Sequence, residues 1–127
     1  VIETRSFRYQ DRDYRLQAEI VSCGKDLCIL VSGGDRPHIG AAALGVWTCG
    51  AFNSGKNTAT SSVISVPGHK EGQLALEAAE QLSKILKRTV VVTVGIHIKG
   101  ISPELIDKVV EEFHGLVADL SETLLAR

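Results

Sequence analysis

Residues 63–96 read VISVPGHKEGQLALEAAEQLSKILKRTVVVTVGI, and their patterning implies how the chain is layered. Val63 to Val66 is a short apolar run. Between Lys70 and Lys87, the residues Leu74, Ala78, Leu82 and Ile85 recur at helical spacing, and Arg88 closes the basic end. Thr89 to Ile96 is dense in β-branched side chains, which pack well on a pleated surface. Strand, helix and strand in that order predict a crossover to a parallel strand, with the helix on one face of a sheet.

Upstream, the chain alternates in the two-residue period of half-buried strands. Thr4 to Gln10 is one such run, and the polar turn Asp11-Arg12-Asp13 follows it. Tyr14 to Ser22 is the next, with Leu16, Ala18 and Ile20 on one face. After the Gly24 turn, Leu27 to Val31 is continuously apolar, and so is the alanine-rich run Gly40 to Thr48. Short turns between these four runs predict an antiparallel meander whose small residues let another layer pack closely. Cys49 to Ser62 is small, polar and unpatterned, and reads as a long exposed loop.

Downstream, Ser102-Pro103-Glu104 opens a last helix with a hydroxyl cap, a proline and a first-turn acid. Leu105, Val109, Phe113, Leu116, Leu120 and Leu124 give that helix a wide apolar stripe. Gly115 in its middle costs about 1 kcal/mol relative to Ala, which points to a close contact or a bend there. The expected architecture is α+β: a mostly antiparallel sheet with one βαβ crossover and two helices, forming a single domain over residues 1–127.

Composition bounds the function. The chain has 127 residues, 44% of them hydrophobic, and a formal net charge of −1, so nucleic acid and an anionic membrane are not expected partners. No apolar run approaches the roughly 18 residues that a membrane span needs. A chain that opens on Val and contains no Met is expected to have lost its natural first residues. Cys23, Cys28 and Cys49 are an odd set in a chain of this size. They read as small thiols on strands in a reducing, cytoplasmic setting rather than as a disulfide framework or a zinc finger.

Three of the four histidines lie in glycine-bounded turns: Gly34-Asp35-Arg36-Pro37-His38-Ile39-Gly40, Pro67-Gly68-His69-Lys70-Glu71-Gly72 and Gly95-Ile96-His97-Ile98-Lys99-Gly100. Each turn stands where an apolar run begins or ends, so the three imidazoles can meet on one rim. Imidazoles ligate metals and hydrogen-bond anions. Arg36 offers a bidentate fork on a loop that Pro37 stiffens, unless Asp35 pairs with it and the motif is structural. His69 and Lys70 stand at the positive pole of the first helix, where amides and cations seat a phosphate or carboxylate. The bland alternative is that Glu71 satisfies that pole. His97 alternates with Ile96 and Ile98, so it points away from the core if they face it. The fourth histidine, His114, falls inside the last helix and looks unrelated.

Two other site readings compete. Gly50-Ala51-Phe52-Asn53-Ser54-Gly55-Lys56 matches the first seven positions of a phosphate-binding loop. Asn57 then stands where the magnesium-binding hydroxyl belongs, and no helix begins there, so a surface loop is the better reading. His38, His69 and His97 could instead hold a catalytic metal with Glu71 as base. No preorganising spacing supports that set, and Arg36 and Lys70 would repel a cation.

The three turns, in that order and followed by a terminal helix, resemble the prenylated-flavin chaperones. These are the small D proteins that accompany gallate-type UbiD decarboxylases, and their fold is related to that of the dimerising proteasome assembly chaperones. The resemblance covers roughly Leu27 to Leu120. It implies a non-catalytic protein that binds prenylated flavin mononucleotide, or FMN, and passes it to a UbiD-like aromatic-acid decarboxylase. A flavin prenyltransferase would be the other partner, and a homodimer the assembly. By that resemblance Arg36, His38, His69 and Lys70 serve the phosphate end, and His97 approaches the isoalloxazine or its phosphate. Lys99 departs from the family pattern, in which an acidic or amide side chain is expected. With only Phe52 and Trp47 near the turns, the ring would rest on aliphatic surface or on a partner subunit. Beside this reading stand a metal-dependent enzyme and a pure assembly chaperone, the latter using the alanine-rich strand and the last helix as its surface.

Overall fold

The computed structural model describes residues 2–49, 57–68 and 71–126. In chain order its elements are β1 (Ile2–Tyr9), β2 (Arg12–Cys23), β3 (Asp26–Gly34), β4 (Ala41–Cys49), β5 (Asn57–Ser65), α1 (Gly72–Leu86), β6 (Val90–His97) and α2 (Pro103–Leu125). The strands form one mixed sheet in the order β1-β2-β3-β6-β4-β5. β3 and β6 pair in parallel, and every other neighbouring pair is antiparallel. Both helices pack on the same side of the sheet, so the fold is α+β as the sequence predicts.

One expectation about strand order fails. β1, β2 and β3 form the anticipated meander, but β4 does not continue it, because β6 lies between β3 and β4. Local pattern cannot reveal this. A strand as continuously apolar as Val90 to Val94 is most stable at the centre of a sheet, and there its alternate residues Val90, Val92 and Val94 are fully buried. β5 and β6 are each antiparallel to β4 and therefore run parallel, so β5-α1-β6 is the predicted crossover, passing over one intervening strand.

The proposed loop from Cys49 to Ser62 is also corrected. From Asn57 onward the chain is β5, paired with β4 from Cys49↔Asn57 to Ala41↔Ser65. An edge strand shows one row of backbone groups to water, and polar side chains suit that position, so Thr58 to Ser62 lacks the apolar signature of the inner strands. The phosphate-loop-like run, with Phe52 and Lys56, lies outside the described residues.

α1 buries Ala75, Ala78, Ala79, Leu82 and Leu86, while Ile85 is exposed, so its buried stripe is turned slightly from the anticipated one. The alanines bring it close to the sheet: a Cβ at Gly45 would run into the Ala79 carbonyl. On α2 every residue of the expected stripe is buried. Full burial of such a side chain contributes about 1.5–3 kcal/mol. The Ser102 hydroxyl accepts a hydrogen bond from Leu105 N at 3.2 Å, which caps the helix as anticipated. Gly115 is a close contact, since the Arg5 guanidinium lies where its side chain would be. Cys23 and Cys28 are free thiols. No helix among the described residues is long and apolar enough to cross a membrane.

Candidate functional site

The insertion of β6 builds the site. Because β3 and β4 are not neighbours, the connection through residues 35–40 has to step across the carboxyl end of β6. Asp35 N and Arg36 N both donate to the His97 carbonyl, at 2.7 and 3.4 Å, and Gly40 N donates to Val94 O at 2.9 Å. At the crossing point only a glycine fits on β6, because a Cβ on Gly95 would overlap the His38 carbonyl oxygen. β3 and β6 end side by side, with Gly34 opposite His97. From there the chain departs in two directions, into the crossing loop and toward α2. Diverging connections at the carboxyl ends of parallel strands open a crevice suited to ligands.

His38 and His97 meet at this end of the sheet. Their rings lie edge to face, with centroids 6.2 Å apart and planes at 80°. Ile98 is buried and Ile96 packs against the core, so His97 points to the opposite side and is exposed, as its alternation predicts. His38 Nε2 is 3.4 Å from Glu71 Oε1, and the two side chains are only 19% and 12% exposed. Glu71 stands at the N-cap of α1 but makes no side-chain cap bond. Its carboxylate folds over Gly40, beside His38.

Asp35 does not pair with Arg36. It forms an ion pair with Arg12 from the start of β2, and its Oδ2 accepts from Lys99 N at 2.9 Å. Arg36 is exposed and makes no ion pair with any described residue, which leaves its fork available. His69 and Lys70 lie outside the described residues. Their neighbours Gly68 and Glu71 border a cleft of about 520 Å³ between α1 and α2. Its walls are aliphatic, formed by Leu74, Ile96, Ile101, Ile106, Val109 and Val110. His114 also lines it, 3.4 Å from Glu77, so the histidine that looked unrelated borders the same cleft. No three His, Cys, Asp or Glu side chains among the described residues are placed to hold a metal ion.

Glu71 thus connects two environments: it borders the apolar slot and stands beside His38, whose ring meets His97 at the end of the sheet. The slot can remove the apolar part of a ligand from water while Glu71 marks its polar edge. A family model described as a prenylated flavin chaperone LpdD-like domain matches residues 10–125. The chain belongs to that family. Membership of the LpdD-like family extends the earlier resemblance upstream, to include β2, where the turns carry no motif. Among solved structures, a chain from the crystal structure of a novel chaperone complex for yeast 20S proteasome assembly is similar, with a TM-score of 0.53 and 14% identity. The alignment covers 97% of this chain and 98% of that one, and at such identity it shows a shared fold. No curated protein matches the sequence.

Sequence reasoning missed three features of this LpdD-like site. Arg12 reaches Asp35 across 23 positions, and nothing local announces such a pair. Glu71 was weighed as a helix-pole acid and as a base for a metal site, but its place beside His38 leaves no local signal. The apolar slot had a signal: Ile101, Ile106 and Val110 are apolar yet lie off the buried stripe of α2.

Proposed function

We propose that this protein binds prenylated flavin mononucleotide and hands it to a UbiD-like aromatic-acid decarboxylase, performing no chemistry of its own. The observation that carries this reading is the aliphatic slot bordered by Glu71, the carboxylate that stands beside His38. A flavin is amphipathic in the same sense, with a broad ring system and a polar, phosphorylated tail. The slot's volume of about 520 Å³ falls within the roughly 300–1,000 Å³ typical of small-molecule sites. Aliphatic walls also answer the scarcity of aromatic platforms. Arg36, His38, His69, Lys70 and His97 are the side chains read as holding the cofactor's polar groups. The flavin would arrive from a prenyltransferase in the cytoplasm. A carrier must also release its cargo, and a rim that is open to solvent at His97 and Arg36 suits transfer to a second protein.

The same reading includes a homodimer, but through a different surface from the one first expected. Ala41 and Ala43 of β4 and the stripe of α2 are spent inside the protomer. The sheet face without helices carries an apolar row instead. In register across four strands lie Val21, Cys28, Val91 and Leu44. Val21 is 49%, Leu44 41% and nearby Ile64 80% exposed. A second copy meeting this face would cover the row, and a sheet face of this kind also supports the assembly-chaperone reading.

Anaerobic titration with FMN and with prenylated FMN should give a saturable spectral change. His38→Ala and His69→Ala should abolish it while leaving the circular dichroism spectrum intact. Absence of saturable binding by either flavin would sink the proposal. A full equivalent of zinc in purified protein would favour the metal-enzyme reading.

A further inference from the structure

The slot between α1 and α2 has two kinds of lining. Its apolar walls are aliphatic throughout, and no phenylalanine, tyrosine or tryptophan among the described residues lines it. Ile101 and Ile106 are 36% and 45% exposed, so the fold leaves them to water beside a cleft rather than packing them into the core. Exposed apolar side chains gathered along a cleft mark a binding surface. The polar lining is Gln73, Glu71, Glu77 and His114, with no lysine or arginine among the described residues.

The two carboxylates are held in place. Glu77 Oε1 accepts from Gln73 Nε2 at 2.8 Å, and its Oε2 lies 3.4 Å from His114 Nε2 on α2. Glu71 is partly buried beside His38. A phosphate entering the slot would therefore meet two acids, and like charges repel by about 1 kcal/mol or more at contact distances. A flat ring would find no aromatic face to stack on. Branched hydrocarbon suits these walls better than either.

We propose that the slot receives an uncharged, branched isoprenoid unit and excludes phosphate, and that this contact tells a prenylated flavin from a plain one. The prenyl-bearing part of the cargo lies against Ile101, Ile106 and Val110, and its phosphate stays outside the slot. A plain flavin lacks that aliphatic surface. In a hydrophobic site even one methylene is worth roughly tenfold or more in affinity, so the added unit gives ample discrimination. The choice between flavins rests on the flavin reading above. The slot's preference for uncharged isoprenoid does not, and the experiment separates the two.

Methyl NMR of the full chain, titrated with dimethylallyl alcohol and with dimethylallyl phosphate, tests the slot. The alcohol should shift the Ile101, Ile106 and Val110 methyl signals saturably, and the phosphate ester should bind about fivefold more weakly or worse. Glu77→Gln should narrow that gap, and Ile106→Asp should remove the response to the alcohol while the circular dichroism spectrum is kept. No methyl response to the alcohol, or equal binding of the alcohol and its phosphate ester, would overturn the slot. Anaerobic titration should find prenylated FMN bound about a hundredfold more tightly than FMN. Ile106→Ala should weaken prenylated FMN about tenfold and leave FMN nearly unchanged. Equal affinity for the two flavins, or a loss shared equally by both, would overturn the discrimination. If neither flavin binds while the alcohol does, the flavin reading falls with its discrimination and the isoprenoid slot stands.

Discussion

Gly95→Ala is the sharpest probe of how the site is built. In an ordinary strand this change should stabilise, since glycine in a strand interior costs roughly 0.5–1 kcal/mol relative to alanine. Gly95 is not in the left-handed region, so alanine meets no backbone strain there. The obstacle is the His38 carbonyl, with Ile39 N 3.0 Å from the added carbon. Both are main-chain atoms, so no side-chain rotation relieves the overlap and the crossing loop has to lift. Overpacking of this kind costs about 1–3 kcal/mol. Lifting also strains the Gly40 N to Val94 O and Arg36 N to His97 O bonds, each contributing about 0.5–1.5 kcal/mol. The net loss should be about 2–4 kcal/mol, or on the order of 10 °C in melting temperature for a chain of this size. Urea and thermal unfolding measure the stability, and flavin titration on the folded variant measures the site. The expected result is a folded but weakened protein whose flavin affinity collapses with the displaced His38. A variant as stable as the parent that binds flavin equally well would refute the crossing-loop account.

Three further outcomes follow from the packing of α2 and the bare sheet face. The Arg5 guanidinium, 2.5 Å from Glu112, holds that carboxyl below its usual range, against the upward push of burial and with help from Lys108. A lowered carboxyl pKa contributes stability that is full above the unfolded value and fades as pH falls through the folded one. Acid titration of stability should therefore steepen below about pH 4.3, and Glu112→Gln should flatten that limb; an unchanged acid limb would contradict the pair. Gly115→Ala should destabilise the protein, because it displaces Arg5 from Glu112 and Asp119. In an Arg5→Ala background the same change should stabilise by about 1 kcal/mol, as helix propensity alone dictates, and chemical denaturation of the four proteins tests the reversal. Leu44→Asp, placed in the apolar row, should leave a folded monomer by light scattering if the bare face pairs with a second copy, and a dimer that survives it would move the interface elsewhere.

Much of this protein was legible in the chain itself, because periodicity is a local property. The two-residue alternation through Leu16, Ala18 and Ile20, the cap at Ser102 and the stripe from Leu105 to Leu124 each depend on neighbours a few positions away. The three histidine turns and their order were enough to indicate the family. Local pattern also misled at Thr58 to Ser62, where a polar edge strand resembles a loop.

Neighbours distant in the chain were set by packing in three dimensions. The entry of β6 between β3 and β4 is a choice among strand orders with the same local pattern, settled by burying the most apolar strand at the centre. That one placement forces the loop of His38 across Gly95, brings His97 to it and turns Glu71 inward. Ion pairs such as Arg12 with Asp35 belong to the same class, since the energy that selects them acts through space and leaves no periodic trace along the sequence.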